Sequence, residues 1–268
     1  GTDGKGTKIF NIPKQLITDY PFDNNYLDSG TSKVHSVLKD NAGNLWIAIY
    51  QKGVMMIPAQ PNSFKYIGYK SINKNIIGSN CITSLCRDHE GILWIGTDND
   101  GIYGITTELK QKVHYAPHDS PSSVPSTVFG LYEDSEHNLW FGSYTNGLGR
   151  LDKKTGQCSY LQNLTDKNGN RIQRVYDLVE DQDKRLWIAT MGAGLFYYDL
   201  KTGQSVYDPK FNAATKKYKW ISCLLYAGDN HLYVGTYDGI RCIDLSTDDF
   251  KTEEILSRHI IHSLYEDP

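Results

Sequence analysis

Six side chains stand out for the chemistry they could do together: Arg174, Trp220, Tyr144, Tyr237, Lys33 and Asp177. Flat aromatic rings stack on pyranose faces, and a guanidinium fork grips a carboxylate or sulfate through two parallel N–H donors. A Trp platform beside an Arg therefore suits an acidic sugar. Other chemistries find less support. Asp98 and Asp100 form a carboxylate pair of the kind glycosidases use, but turn propensity produces the same pattern. The five Cys (81, 86, 158, 223, 242) show no C-x-x-C spacing, so they read as buried thiols, with one disulfide left open. The eight His have no metal-ligand spacing either. No catalytic residue, metal site or cofactor is expected.

What positions these residues is a repeat. "GILWIGTDNDGIYGI" (91–105) returns as "GNLWIAIYQKGVMMI" (43–57), "HNLWFGSYTNGLGRL" (137–151), "KRLWIATMGAGLFYY" (184–198) and "NHLYVGTYDGIRCI" (230–243). The anchors are Trp46, Trp94, Trp140 and Trp187, with Tyr233 in the fifth place, at spacings of 48, 46, 47 and 46 residues. Self-similarity at this period means a repeat architecture.

Each period splits into four short strands, A to D, rich in Val, Ile, Tyr, Phe and Trp and punctuated by Gly, Asn and Asp. Strand A runs Val34–Asp40, Ile82–Asp88, Val128–Asp134, Val175–Asp181 and Ile261–Asp267, with a looser copy at Ile221 that has Ala227 in place of the Asp. Strand B is the Leu-Trp-Ile-Gly-Thr segment, and strand C follows Gly53, Gly101, Gly147, Gly194 or Gly239. Strand D is weakest: Phe64–Tyr69, Lys112–Tyr115, Cys158–Leu161 and Ser205–Tyr207. Four strands per 40–50 residues is the pattern of an all-β propeller blade in antiparallel sheets. The repeated Asp is then a turn acceptor, the Gly supplies a positive φ, and the Trp fills the wedge between neighbouring blades.

Blade geometry also explains why the six residues were singled out. Loops that converge on one face of a propeller carry ligands. The B–C turns hold Tyr50-Gln51-Lys52, Asp98-Asn99-Asp100, Tyr144-Thr145-Asn146, Met191 and Tyr237-Asp238. The column just before strand A reads Lys33, Cys81, Thr127, Arg174, Trp220 and Ile260. Trp220 stands outside the repeat motif, so wedge filling does not explain it; the plainer reading packs it under 208–219. Asp177 sits where other A strands have Ser, Gly or Cys.

The predicted organisation is one propeller region, 1–268: a partial blade 1–32, full repeats 33–79, 80–125, 126–172, 173–218 and 219–258, and strand A of a further blade 259–268. Gly1-Thr2 aligns with Gly96-Thr97, so the chain is expected to be a window from a longer array. Either its ends complete a sixth blade or further blades lie outside it. The net charge of −3 gives no basic excess for nucleic acid, and no apolar stretch approaches membrane-spanning length.

The pattern resembles the two-component-regulator propeller repeat, most clearly at "VFGLYEDSEHNLWFGSYTNGLGRLD" (128–152) and "VYDLVEDQDKRLWIATMGAGLFYYD" (175–199). The Ser-rich "HDSPSSVPS" (118–126) is similar to that family's loop before strand A. The resemblance implies the periplasmic sensor region of a Bacteroidetes hybrid two-component system. It implies a non-enzymatic receptor part, anchored in the inner membrane through other segments, that detects oligosaccharides and signals to a histidine kinase. Implied partners are an oligosaccharide, further blades or a second propeller, and a homodimer. The alternative reading is a carbohydrate-active propeller enzyme or lectin. "D-x-x-G-x-L-W" is similar to the Asp-box turn of sialidase propellers, but no arginine triad accompanies it.

Overall fold

Every element in the computed structural model is a β-strand; it describes residues 1–20, 32–51, 53–60, 67, 77–79, 81–107, 110–166, 168–207, 220–247 and 250–266. Among the described residues, no helix is long and apolar enough to cross a membrane. The chain divides into two compact units, Gly1–Gly78 and Ser79–Pro268.

The first unit holds a two-stranded ribbon, β1 (Lys8–Asn11) and β2 (Leu16–Asp19), and a three-stranded sheet, β3 (Val34–Lys39), β4 (Leu45–Ile49) and β5 (Gly53–Ile57). The fourth strand expected at Phe64–Tyr69 lies outside the described residues, apart from Ile67. The alignment of Gly1-Thr2 with Gly96-Thr97 is visible in the hydrogen bonds. Thr2 donates N–H and Oγ1 to the Gly6 carbonyl at 3.1 and 2.7 Å, as Thr97 does to Gly101 at 3.1 and 2.9 Å.

The second unit is four antiparallel meanders, each of four strands in sequence order. They are β6 (Ile82–Arg87), β7 (Leu93–Thr97), β8 (Ile102–Ile105) and β9 (Gln111–Tyr115); β10 (Val128–Glu133), β11 (Leu139–Ser143), β12 (Leu148–Leu151) and β13 (Cys158–Tyr160); β14 (Val175–Glu180), β15 (Arg185–Thr190), β16 (Leu195–Asp199) and β17 (Gln204–Val206); and β18 (Ile221–Tyr226), β19 (His231–Thr236), β20 (Gly239–Asp244) and β21 (Thr252–Ser257). The last strand, β21, has no counterpart among the strands read from sequence. The strand expected from Ile261 is not formed over 261–266. Ile261 still docks, through its N–H to the Thr236 carbonyl at 3.0 Å and its carbonyl to Ser222 Oγ.

The core lies between consecutive sheets. Trp94 packs with Val128, Leu131, Leu139 and Phe141 of the next sheet, Trp140 with Val175, Leu178 and Leu186, and Trp187 with Ile221, Leu224 and Leu232. These indoles are 3, 3 and 0 % exposed, each buried between its own sheet and the next. Trp46, in the first unit, is 40 % exposed, and its cross-strand partners Leu38 and Met56 are exposed too.

The repeated Asp has a second task beyond the turn. In the first four repeats it accepts the backbone N–H four residues on (Asn44, Ile92, Asn138, Arg185) at 2.8–3.0 Å. Its other oxygen accepts the indole Nε1–H six residues on, at 2.8, 2.8, 2.7 and 2.7 Å. One carboxylate thus ties the A–B turn and satisfies a buried Trp donor. Burial opposes the charge of Asp88, but the Trp94, Ile92 and Lys153 donors outweigh it and hold that carboxyl below its usual range.

A small residue in strand B sets the distance to the next sheet. A Cβ on Gly142 would lie 2.5 Å from the Val175 carbonyl oxygen, and one on Gly235 would lie 2.9 Å from the Ile261 side chain. No real Cβ makes such contacts, so at Gly142 and Gly235 the following strand runs too close for a side chain, while Ala48 and Ala189 hold the same position in two other repeats.

Candidate functional site

The two columns singled out in the sequence meet. In four of the repeats the first residue of the B–C turn donates its N–H to the carbonyl of the residue before strand A: Tyr50 to Lys33 (3.0 Å), Asp98 to Cys81 (2.9 Å), Met191 to Arg174 (3.1 Å) and Tyr237 to Trp220 (3.4 Å). The turn Gly needed for this geometry has φ of 90, 74, 78, 97 and 127° at Gly53, Gly101, Gly147, Gly194 and Gly239. Lys33 belongs to the first unit and pairs there with Asp3 at 3.0 Å; His35 stacks on Tyr50 beside it, with centroids 5.1 Å apart.

In the second unit the remaining candidates form a strip. The Arg174 guanidinium lies over the Tyr144 ring, 4.9 Å from its centroid, and forms no ion pair among the described residues. Tyr144 meets Phe129 edge-on, and Phe129 stacks on Tyr176 with centroids 4.3 Å apart. Burial raises the Tyr176 phenol, which also senses the neighbouring Tyr237, Tyr144 and Arg174. Tyr237 packs against Trp220, centroids 5.5 Å apart, and Trp220 pairs through its backbone with Met191. Tyr144, Trp220 and Tyr237 are 41, 47 and 41 % exposed. The Arg and the Trp are linked through Met191, which donates its N–H to the Arg174 carbonyl and pairs through its backbone with Trp220. Phe129 and Tyr176 were missed in the sequence, although both occupy the second position of strand A.

Asp177 is partly buried behind this strip. Its two oxygens accept the N–H of Leu178 at 2.9 Å and of Leu224, in the next sheet, at 2.8 Å. Burial raises its carboxyl to about 6, against the pull of those two amides. It ties two sheets together at their β-bulges, with both oxygens already used. The carboxylate pair is also engaged: Thr127 Oγ1 donates to Asp98 at 2.7 Å, while Tyr103 donates to Asp100 and His114 lies 3.4 Å from it. All five Cys are free, and burial pushes the Cys86, Cys158 and Cys223 thiols up to about 11, 12 and 11.

Two depressions lie away from the strip. One of about 380 Å³ involves Asn138, Arg150 and Ser159, and one of about 310 Å³ lies between Ser120–Ser126 and Thr145–Asn146. We weight the strip above either, because neither holds comparable exposed aromatic surface.

A family model described as "Two component regulator propeller" matches residues 76–99, 122–145 and 165–192, which span the A–B turns of three repeats. Among solved structures, the chain is similar to the extracellular domain of a proposed one component system of B. thetaiotaomicron (20 % identity, TM-score 0.57, 94 % of this chain and 35 % of that one). It is also similar to the extracellular domain of a proposed hybrid two component system of the same organism (19 %, 0.55, 94 % and 43 %). A protein of unknown function from Bacteroides caccae shares the fold at 12 % identity, with a TM-score of 0.50 over 96 % of this chain and 91 % of that one. The chain spans under half the length of the first two. No curated protein matches the sequence. At these identities the solved structures establish the fold, an all-β propeller architecture, and three of its repeats match the two component regulator propeller model.

Proposed function

We propose that the chain is part of the periplasmic, ligand-sensing propeller region of a hybrid two-component system, with no catalytic activity of its own. In this reading the region detects oligosaccharides released from polysaccharides and signals across the inner membrane to a histidine kinase outside this chain. Further propeller blades would be its intramolecular partners, and a homodimer the signalling assembly. The repeat match and the fold shared with two extracellular receptor domains support the class. The observation that carries the ligand is a pair of aromatic groups, Arg174–Tyr144–Phe129–Tyr176 and Tyr237–Trp220, joined through the Met191 backbone. Its rings offer stacking surface, and a guanidinium without a carboxylate partner among the described residues offers charge complementarity to a uronic acid or sulfate. A long aromatic surface suits an extended chain more than one small molecule.

Calorimetry on the receptor's whole extracytoplasmic region, with neutral and uronic-acid oligosaccharides, tests this reading. Arg174→Ala and Trp220→Ala should each abolish binding while leaving the melting temperature unchanged. Truncating one side of a desolvated Arg–carboxylate contact costs about 2–5 kcal/mol. If both variants bind as tightly as wild type, the strip is not the site. An enzyme would share the strip but would also turn over glycans, so hydrolysis of the bound oligosaccharide would replace the receptor reading with that of a carbohydrate-active enzyme.

A further inference from the structure

Two turns on successive sheets bring together residues that are far apart in the chain. His89 follows Asp88 in the A–B turn after β6, Glu133 ends β10, and His137 lies in the turn after it. The ligand atoms of these three all lie within 4.8 Å of one another. We infer that His89, Glu133 and His137 form a binding site for a divalent transition-metal ion of the zinc class.

The scaffold of this cluster is a structural clamp. Glu133 Oε2 accepts the His89 backbone N–H at 2.7 Å, as Glu180 Oε2 accepts that of Ser135 at 2.6 Å one repeat later. In the later repeat the clamp is completed by a hydroxyl, Ser135 Oγ, on Glu180 Oε1 at 2.5 Å. In the earlier one an imidazole does this, His89 Nδ1 at 2.8 Å from Glu133 Oε1. A serine therefore suffices for the clamp, and His89 brings a donor atom the clamp does not need.

His137 is harder to explain by structure. It sits at φ 66°, in the turn position that the first two repeats fill with Gly43 and Gly91. An imidazole there gains nothing from the turn. Its ring makes no hydrogen bond among the described residues and stacks on His89, with centroids 3.6 Å apart and planes 25° apart. Two imidazoles and a carboxylate are the donor set of open zinc sites, with the remaining positions left to water. Zinc bonds of about 2.0–2.1 Å place tetrahedral donors about 3.4 Å apart, so the cluster must tighten by roughly an ångström, which side-chain rotation supplies.

Lys153 opposes the ion. Its ammonium lies 2.7 Å from Glu133 Oε1 and must leave that oxygen. It has a second carboxylate to retreat to, Asp88 Oδ2 at 3.5 Å. The site therefore binds weakly enough to be reversible. The fold does not need the ion, because the backbone clamp stands without it.

Isothermal titration of the tag-free protein with zinc chloride near neutral pH tests the inference, alongside electron paramagnetic resonance with Cu²⁺. The expected result is one saturable zinc equivalent and a copper signal split by two nitrogens. His137→Ala and His89→Ala should each weaken zinc by at least about tenfold, since losing even an outer-sphere partner costs about that much. Both variants keep the backbone clamp, and an unchanged melting temperature without zinc confirms that they fold. Zinc should raise the melting temperature of the wild type but not of His137→Ala. The inference is overturned if the wild type takes up no saturable zinc, or if either variant binds it as tightly as the wild type.

Discussion

The fourth and fifth sheets are neighbours with the same topology, but they are fastened differently. In the fourth, Asp181 accepts Trp187 Nε1 at 2.7 Å, Arg185 Nε at 2.6 Å, and the backbone amides of Asp183 and Arg185. In the fifth, Ala227 offers no acceptor, and Tyr233, in the Trp position, stands opposite Cys242 across the ladder. Acceptor and donor are missing together. An Asp without its indole, or a buried indole without its Asp, leaves a polar group stranded, so the two behave as one device. The fifth sheet relies on a longer edge instead: β21 has six residues where β17 has three.

The largest effect expected from this contrast is at Trp187, which is fully buried. Trp187→Ala should lower unfolding free energy by about 3–5 kcal/mol in urea titrations, and Tyr233→Ala, at a half-buried position, by clearly less. Equal losses would show that the wedge, and not the hydrogen-bonded device, carries both sheets.

Next comes the third position of strand A, which is Asp177 in the fourth sheet and Cys223 in the fifth. Folding raises the Asp177 carboxyl from 3.8 to about 6, so the folded state disfavours its ionisation. The stability this group contributes is complete below pH 4 and falls as pH rises from about 4 to 6. At about 1.4 kcal/mol per unit the full swing is at most about 3 kcal/mol. Asp177→Asn stays neutral, so its stability relative to wild type should climb across that window and then level off. The lowered carboxyls of Asp88 and Glu133 act in the opposite sense at lower pH, but they are common to both proteins and cancel. A difference between the two proteins that does not vary with pH would mean that Asp177 does not titrate there.

Asp181→Ala imitates the fifth sheet by halves and should cost about 1–3 kcal/mol, because it strands the Trp187 donor. Adding Trp187→Tyr should then cost less than it does alone, a coupling of about 0.5–3 kcal/mol readable in a double-mutant cycle. Strict additivity would break the idea of a single device.

The smallest change is expected at Trp220, the Trp of the fifth repeat that lies outside the motif. At 47 % exposure its replacement by Ala should alter stability by no more than about 0.5 kcal/mol. A loss approaching that of Trp187→Ala would make Trp220 a packing residue and remove the platform from the strip.

Much of this was legible because it is local and periodic. The strands, the turn Asp, the positive-φ glycines and the two columns of loop residues recur within single repeats. The indole–carboxylate bond also left a trace, a constant six-residue spacing from Asp to Trp, but its geometry needed coordinates. What escaped depends on the lateral neighbour. Nothing within one repeat shows that Glu133 reaches back to His89, that Asp177 reaches forward to Leu224, or that Phe129 and Tyr176 stack. Those contacts join residues 44 to 47 positions apart. The strand β21 was missed because its "TEEILS" carries two acids and follows no repeat signature.

The glycine that lets one sheet approach the next has a consequence for how such chains change over generations. The junction is set by an absent atom on one side and a Val or Ile on the other: Gly1 with Val34, Gly96 with Val128, Gly142 with Val175, Gly235 with Ile261. The same position holds Ala48 and Ala189, also small. A joint of this kind is interchangeable, so a repeat copied or lost by unequal crossing-over arrives with both halves of a working seam. Nearest-neighbour arrays tolerate such changes in number because each unit answers only to the units beside it. Lineages can therefore lengthen or shorten the array while selection works on the exposed loop residues, such as Trp220 and Arg174, that the seam leaves free to vary.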